Sequence, residues 1–205
     1  MPHQRAAIRA SGIGIGLCAW MVAAAAAQAK PPTIEFDMTP STGVLTCVPN
    51  ATAHVKVTSK GSAETMDVKA SGLPGKTGFA VFVLQVPKSP FGLAWYLGAL
   101  TTNARGKGHA KFVGRFSIET FAVAPGSAAA PVVFNGPFPD ASLNPPFNPV
   151  QTYHLGIWFD SPEGASGAGC PATVTPFNGE HNAGLQVLNT AGFADDQGPL
   201  RQLTP

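Results

Sequence analysis

Between Thr52 and Thr58 the chain alternates without a break. Ala53, Val55 and Val57 take one side, and Thr52, His54, Lys56 and Thr58 take the other. A period of two is the mark of a strand with one buried face. Met66, Val68 and Ala70 repeat it after a turn at Gly61-Ser62. Phe79–Val86 (FAVFVLQV) is apolar almost throughout and bounded by Gly78 and Pro87, which predicts a strand covered on both faces. Val150–Phe159 (VQTYHLGIWF) is the second segment of this kind, and Arg105–Ser117 reads as one long alternating strand. Shorter strands are predicted at Thr33–Met38, Val44–Val48, Leu93–Tyr96, Ala99–Thr102, Thr120–Ala124, Pro131–Phe134, Thr173–Pro176 and Leu185–Asn189. Ser161-Pro162-Glu163 predicts one short helical turn. Residues 135–149 hold five prolines and predict an irregular loop. Outside the N-terminal segment no stretch of useful length has the helical period. These elements predict an all-β fold, an antiparallel β-sandwich of roughly eight to ten strands, with a partly open β-barrel as the alternative. Gly and Pro make up 43 of the 205 residues (23 and 20) and charged residues 12%, a composition that suits short strands and sharp turns.

The first 29 residues read differently. Arg5 and Arg9 give a positive start, an apolar run follows from Ile13 to Ala27, and Ala27-Gln28-Ala29 supplies small residues at a cleavage site. This is the three-part order of a signal peptide, an N-terminal signal helix removed after Ala29. The run is shorter and richer in Ala and Gly than the roughly 20 strongly apolar residues of a membrane span. The expectation is a secreted, extracellular protein, with a single domain over residues 30–205 and no transmembrane segment after cleavage. Export would leave two of the three cysteines, Cys47 and Cys170. In an oxidising compartment these two are expected to form one disulfide.

Removing Arg5 and Arg9 also changes the charge. The whole chain is +2, and the mature part is 11 basic residues against 11 acidic ones. Neutrality hides a division: residues 30–118 carry ten basic and four acidic residues, and residues 119–205 carry one and seven. No nucleic-acid partner is expected from such a balance. Within the basic half, Arg105, Lys107, His109, Lys111 and Arg115 occupy alternate positions of one predicted strand. Two expectations compete for this stripe: a docking line for an anionic ligand such as a cell-wall polymer, or a solvated face of a charged edge strand.

Candidate chemistry is sparse. His154, Asp160, Glu180 and His181 are the residues to test for a metal, although no spacing such as HExxH or HxH joins them. Their competing expectation is a strand histidine and a polar turn satisfied by hydrogen bonds. No GxSxG elbow is present: Gly164-Ala165-Ser166-Gly167-Ala168 ends in the wrong residue. The GIGIG string at residues 12–16 lies in the predicted leader, and no spacing nominates a carboxylate pair. No catalytic residue is assigned, and no cofactor is called for. Trp95, Tyr96 and Trp158 invite a sugar-stacking role, but each is flanked by apolar residues, as core aromatics are.

Three strings carry a resemblance: SPFGLAWYLGALTTNARGKGHAKFVGRF (Ser89–Phe116), TYHLGIWFDSP (Thr152–Pro162) and CPATVTPFNGEHNAGLQVLNT (Cys170–Thr190). Together they resemble a family of secreted proteins from high-GC Gram-positive bacteria for which no activity is established. The resemblance implies export and carries over no functional residue. LGALTTNARGKGHAKF is in addition similar to a hairpin of bacterial extracytoplasmic β-sandwich modules. The reading that results is a non-catalytic secreted protein binding a cell-envelope component, an anionic wall polymer or a protein partner. The alternative is a secreted hydrolase or metal-binding protein using the His154/His181 region.

Overall fold

A computed structural model describes residues 32–116, 121–123, 149–177 and 181–203. The described residues belong to one compact unit, Pro31–Pro205. The predicted leader, the predicted strand at Pro131–Phe134 and all but Pro149 of the proline-rich loop lie outside them.

Where one face of the sequence alternates cleanly, the strands form as expected. These are β1 (Thr33–Pro40), β2 (Thr52–Lys60) and β3 (Ala63–Ser71). Further along come β4 (Gly78–Leu84), β5 (Ala94–Thr101), β6 (Gly108–Gly114), β7 (Phe121–Val123) and β8 (Pro149–Gln151). The last four are β9 (His154–Phe159), β10 (Thr175–Phe177), β11 (His181–Ala183) and β12 (Gln186–Asn189). One short helix, α1 (Pro162–Gly167), starts where Ser161 was expected to cap it, its hydroxyl accepting from the Gly164 N–H at 3.1 Å. No helix among the described residues is long and apolar enough to cross a membrane.

Eight strands form one antiparallel sheet in the order β5-β4-β9-β12-β1-β2-β3-β6. The remaining strands form two small antiparallel pairs, β10–β11 and β7–β8. β1 is the corner of the large sheet. Thr33–Met38 pair with β2, and then Thr39 and Pro40 pass to β12. One half, β1-β2-β3-β6, thus faces the other, β5-β4-β9-β12. Val55, Val57, Met66 and Val68 meet Val81, Val83, Leu155, Ile157 and Phe159 in one core cluster. The two end strands also come together, joined by an antiparallel bridge between Thr102 and Gly108. The all-β antiparallel fold is therefore a sandwich whose sheet runs continuously round one corner and nearly closes into a barrel at the other.

β4 and β9 are buried on both faces, as their unbroken apolar runs predicted. The second face holds a separate cluster of Ala80, Phe82, Leu84, Trp158 and Ala183, with Phe91 packed against it. Cys47 and Cys170 form the expected disulfide, across a sequence separation of 123. It ties the segment between β1 and β2 to the end of α1.

Five predicted elements are corrected. Val44–Val48 is a turn: Thr42–Val44 is a single 3-10 turn, and Val48 N–H donates to the Val44 carbonyl at 2.7 Å. Val44 and Val48 are buried by this local coil rather than by a ladder. Val150–Phe159 is broken at Thr152-Tyr153 into β8 and β9, while Leu93–Tyr96 and Ala99–Thr102 merge into β5. The long strand Arg105–Ser117 starts only at Gly108. Arg105 and Lys107 lie in the preceding turn, where their N–H groups donate to the Asn103 side-chain oxygen at 2.9 and 3.2 Å.

Candidate functional site

The stripe found in the sequence lies on the outer surface of the β1-β2-β3-β6 half. Its alternation survives the shortened strand: Arg105, Lys107, His109, Lys111 and Val113 are exposed, while Gly106, Gly108 and Phe116 are buried. The register then adds what the sequence does not display. Glu35, Lys56, Asp67 and Lys111 stand side by side across four strands, and the next row is Asp37, His54, Lys69 and His109. Opposite charges directly across a strand pair attract, and the distances follow. Directly across, Lys56 Nζ lies 2.5 Å from Glu35 and His54 Nδ1 2.8 Å from Asp37; on the diagonal, His109 Nε2 lies 2.9 Å from Asp67. The Lys56 ammonium, through its hydrogen bond and its charge, holds the Glu35 carboxyl below its usual pKa. The His109 hydrogen bond does the same for Asp67. Arg115, just past β6, reaches the fully buried Glu64 at 3.3 Å and donates to the Gly61 carbonyl at 3.0 Å. The other oxygen of Glu64 accepts the Phe116 N–H at 2.6 Å. The stripe is thus the outermost row of a mixed-charge ladder, not a bare cationic strip. Seven Lys or Arg residues (56, 60, 69, 105, 107, 111, 115) against four carboxylates (35, 37, 64, 67) still leave +3 there.

Of the four residues considered for a metal, the two whose side chains are described, His154 and Asp160, stand apart. His154 opens β9 and Asp160 follows its far end, about 20 Å away at ~3.3 Å per residue. Glu180 and the His181 side chain lie outside the described residues. Among the described residues no group of three or more metal-binding side chains occurs. Both ring nitrogens of His154 are engaged. Nε2 must donate to the Asp195 carbonyl at 3.1 Å, so Nδ1 accepts from the Thr190 hydroxyl at 2.9 Å. Thr190 in turn accepts the Leu155 N–H at 3.2 Å. Burial pushes the His154 pKa down against the pull of the backbone carbonyls. The result is a neutral structural histidine that pins the 190–195 segment to β9.

A different feature is a groove of about 1340 Å³ against the outer face of β9 and β12. One wall is the 85–93 loop between β4 and β5. Gln85 and Leu93 close this loop through two backbone–backbone and side-chain bonds: Gln85 N–H to the Leu93 carbonyl at 2.8 Å, and Leu93 N–H to Gln85 Oε1 at 3.1 Å. Gly92 has φ +67°, and a Cβ there would stand 2.2 Å from Gln85 Oε1. Only glycine fits both demands. Phe91 then meets Trp158 edge-on, ring centres 5.0 Å apart, and anchors the loop to the sheet. The floor carries two buried amides. Gln186 Nε2 donates to the Pro87 carbonyl at 3.1 Å, Asn189 Nδ2 donates to Gln186 Oε1 at 2.9 Å, and Ala191 N–H donates to Asn189 Oδ1 at 3.0 Å. Ser41 Oγ donates to the Gln186 carbonyl. Each amide is held in one orientation, yet each NH2 has a second hydrogen that these bonds leave over. Lys88 is the sole charged residue of the lining, and Thr39, Thr42, Thr173 and Thr175 add hydroxyls.

Sequence reasoning missed this groove. Gln186 and Asn189 read only as members of a short strand, and Ser41 lies 145 residues from Gln186. Of the aromatics, Trp95 and Tyr96 take opposite faces of β5. Trp95 packs on the core, while Tyr96 is 57% exposed beside Phe82. No family model, no curated protein and no solved structure matches the chain. The resemblance drawn from its three strings rests on those strings alone.

Proposed function

We propose that this is an exported, non-catalytic binding protein whose ligand is an uncharged, hydroxyl-rich unit of the cell envelope, such as a saccharide segment, held in the Phe91–Gln186–Asn189 groove. The observation that carries the reading is the groove floor: two buried amides locked in orientation beside an aromatic-anchored wall, in a lining with a single cation. Pockets that recognise neutral polar ligands combine apolar walls with a few fixed polar groups. A floor fixed before binding also avoids the cost of ordering those side chains. Export is supported by the leader-like first 29 residues and is consistent with the Cys47–Cys170 bridge, which an oxidising compartment preserves.

The charged ladder offers the competing site, an anionic wall polymer at the β6 stripe. Much of its cationic charge is already matched by Glu35, Asp67 and Glu64, so the groove is preferred. Salt separates the two. Cosedimentation with isolated bacterial cell wall should persist nearly unchanged from 0.05 to 0.5 M NaCl if the groove binds. Binding that disappears over that range assigns the polymer to the stripe, and no binding at either salt removes the envelope reading altogether.

A further inference from the structure

Where the sheet stops short of closure, its two end strands diverge. At one end the seam is tied by the Thr102–Gly108 bridge and by the 102–107 turn. From there β5 and β6 part, with the Phe112 ring lodged against Gly98: a Cβ at Gly98 would stand 2.7 Å from it. The opening is a cavity of about 520 Å³ lined by Trp95–Leu97 on one bank and Lys111–Phe116 on the other. β5 pairs with β4 and β6 with β3, so beyond the bridge each has one edge without a strand partner among the described residues. Such edges accept an added strand through main-chain hydrogen bonds.

Side chains along the seam sort by face. Trp95, Leu97 and Phe112 turn inward and pack against the core cluster. Lys111, Val113 and Tyr96 turn outward, with Val113 71% exposed. Arg115 continues the outer row of the same bank, and Arg105 and Lys107 approach it through the turn. Antiparallel pairing of β6 with a second copy of β6 would set these cations against one another, which disfavours self-association. The same cations favour a strand of the opposite sign.

We propose that the β5–β6 seam is a second binding site, independent of the groove, which captures an extended peptide segment of a protein partner. The captured segment carries acidic side chains at alternate positions and apolar ones between them. Its apolar side chains enter over Trp95 and Phe112, its acids lie along Lys111 and Arg115, and its backbone completes the sheet between β5 and β6.

The probes are a heptapeptide alternating Glu and Val, its Lys/Val counterpart, and the Glu/Val peptide N-methylated at alternate amides in either phase. Binding is followed by tryptophan fluorescence and by amide hydrogen exchange of the full chain. The proposal expects the Glu/Val peptide to bind at least tenfold more tightly than the Lys/Val one. It expects both N-methylated phases to lose binding, since alternate amides of the inserted strand face β5 and β6, and the exchange of amides within 94–99 and 110–115 to slow in the complex. Lys111→Glu should reverse the charge preference. Because that variant also places a carboxylate opposite Asp67, the exchange result on the unaltered protein decides independently. Undiminished binding of either N-methylated phase, equal binding of the two charge types, or unchanged exchange along β5 and β6 would each overturn it.

Discussion

Glu64 is the one fully buried carboxylate among the described residues, and Arg115 is its only cationic partner within 4 Å. Replacing Arg115 by Met keeps most of the stem and removes the guanidinium. Breaking a fully buried pair from one side costs about 3–5 kcal/mol. The Arg115 side chain is 35% exposed, so water screens part of the attraction, and the expected loss is about 2–3 kcal/mol. For a domain of this size that lowers the melting temperature by about 4–12 °C. Glu64→Gln alone should cost less, because the amide oxygen can still accept the Phe116 N–H. With Glu64→Gln already present, Arg115→Met no longer strands a charge, so the double variant should be more stable than the sum of the single losses. Urea unfolding of all four proteins gives the coupling energy directly. A coupling of about 1.5 kcal/mol or more is expected. A value under about 0.5 kcal/mol, the ordinary scatter of independent sites, would refute the view that Arg115 is there to neutralise Glu64.

Three further outcomes follow from the same geometry. Reducing the Cys47–Cys170 bridge, or replacing both cysteines by Ser, should lower the unfolding free energy by about 2–5 kcal/mol, because the bridge closes a very long loop; a loss under about 1 kcal/mol in urea melts would contradict it. Gly92→Ala should destabilise by about 1–2 kcal/mol from the left-handed backbone alone and weaken envelope binding further by displacing Gln85 Oε1, and an unchanged thermal melt would show the loop to be free to adjust. His154 has a folded-state pKa below its usual value, so the unfolded chain takes up its proton first as the pH drops. Stability is therefore whole above about pH 6.5 and falls by up to ~1.4 kcal/mol per unit below it, until the folded-state pKa is reached. His154→Gln should flatten that slope in urea melts between pH 7.5 and 5, and an identical slope would remove His154 as its source. The lowered Asp67 pKa acts in the same direction further down, its contribution being lost as the pH falls through the folded value.

The legible parts of the fold are those where one physical signal acts alone. β2 and β3 show a buried and a wet face, so period two places Val55, Val57, Met66 and Val68 in the core directly. β4 is apolar throughout because a second cluster around Phe82 and Trp158 covers its other side. Val44–Val48 misled because a buried 3-10 turn and a short buried strand leave the same apolar trace. Val150–Phe159 misled because the break at Thr152-Tyr153 is imposed by a distant partner: the Leu200 N–H donates to the Tyr153 carbonyl at 3.2 Å. The stripe was half legible. Its alternation lies in the local sequence, but Asp67 is 42 residues from His109 and Glu64 is 52 from Phe116. The neutralising ladder therefore exists only once the register is set. The groove depends wholly on such long-range placement, since Ser41, Phe91 and Gln186 come from three separate parts of the chain.

Isothermal titration of the protein with the neutral polysaccharide fraction of isolated cell wall, at 0.5 M NaCl, tests the groove assignment most directly. The assignment predicts saturable binding at that salt, weakened at least tenfold by Gln186→Leu and by Phe91→Ala and left unchanged by Lys111→Gln. Binding that is lost in Lys111→Gln and kept in both groove variants, or no heat at all from this fraction, would contradict it.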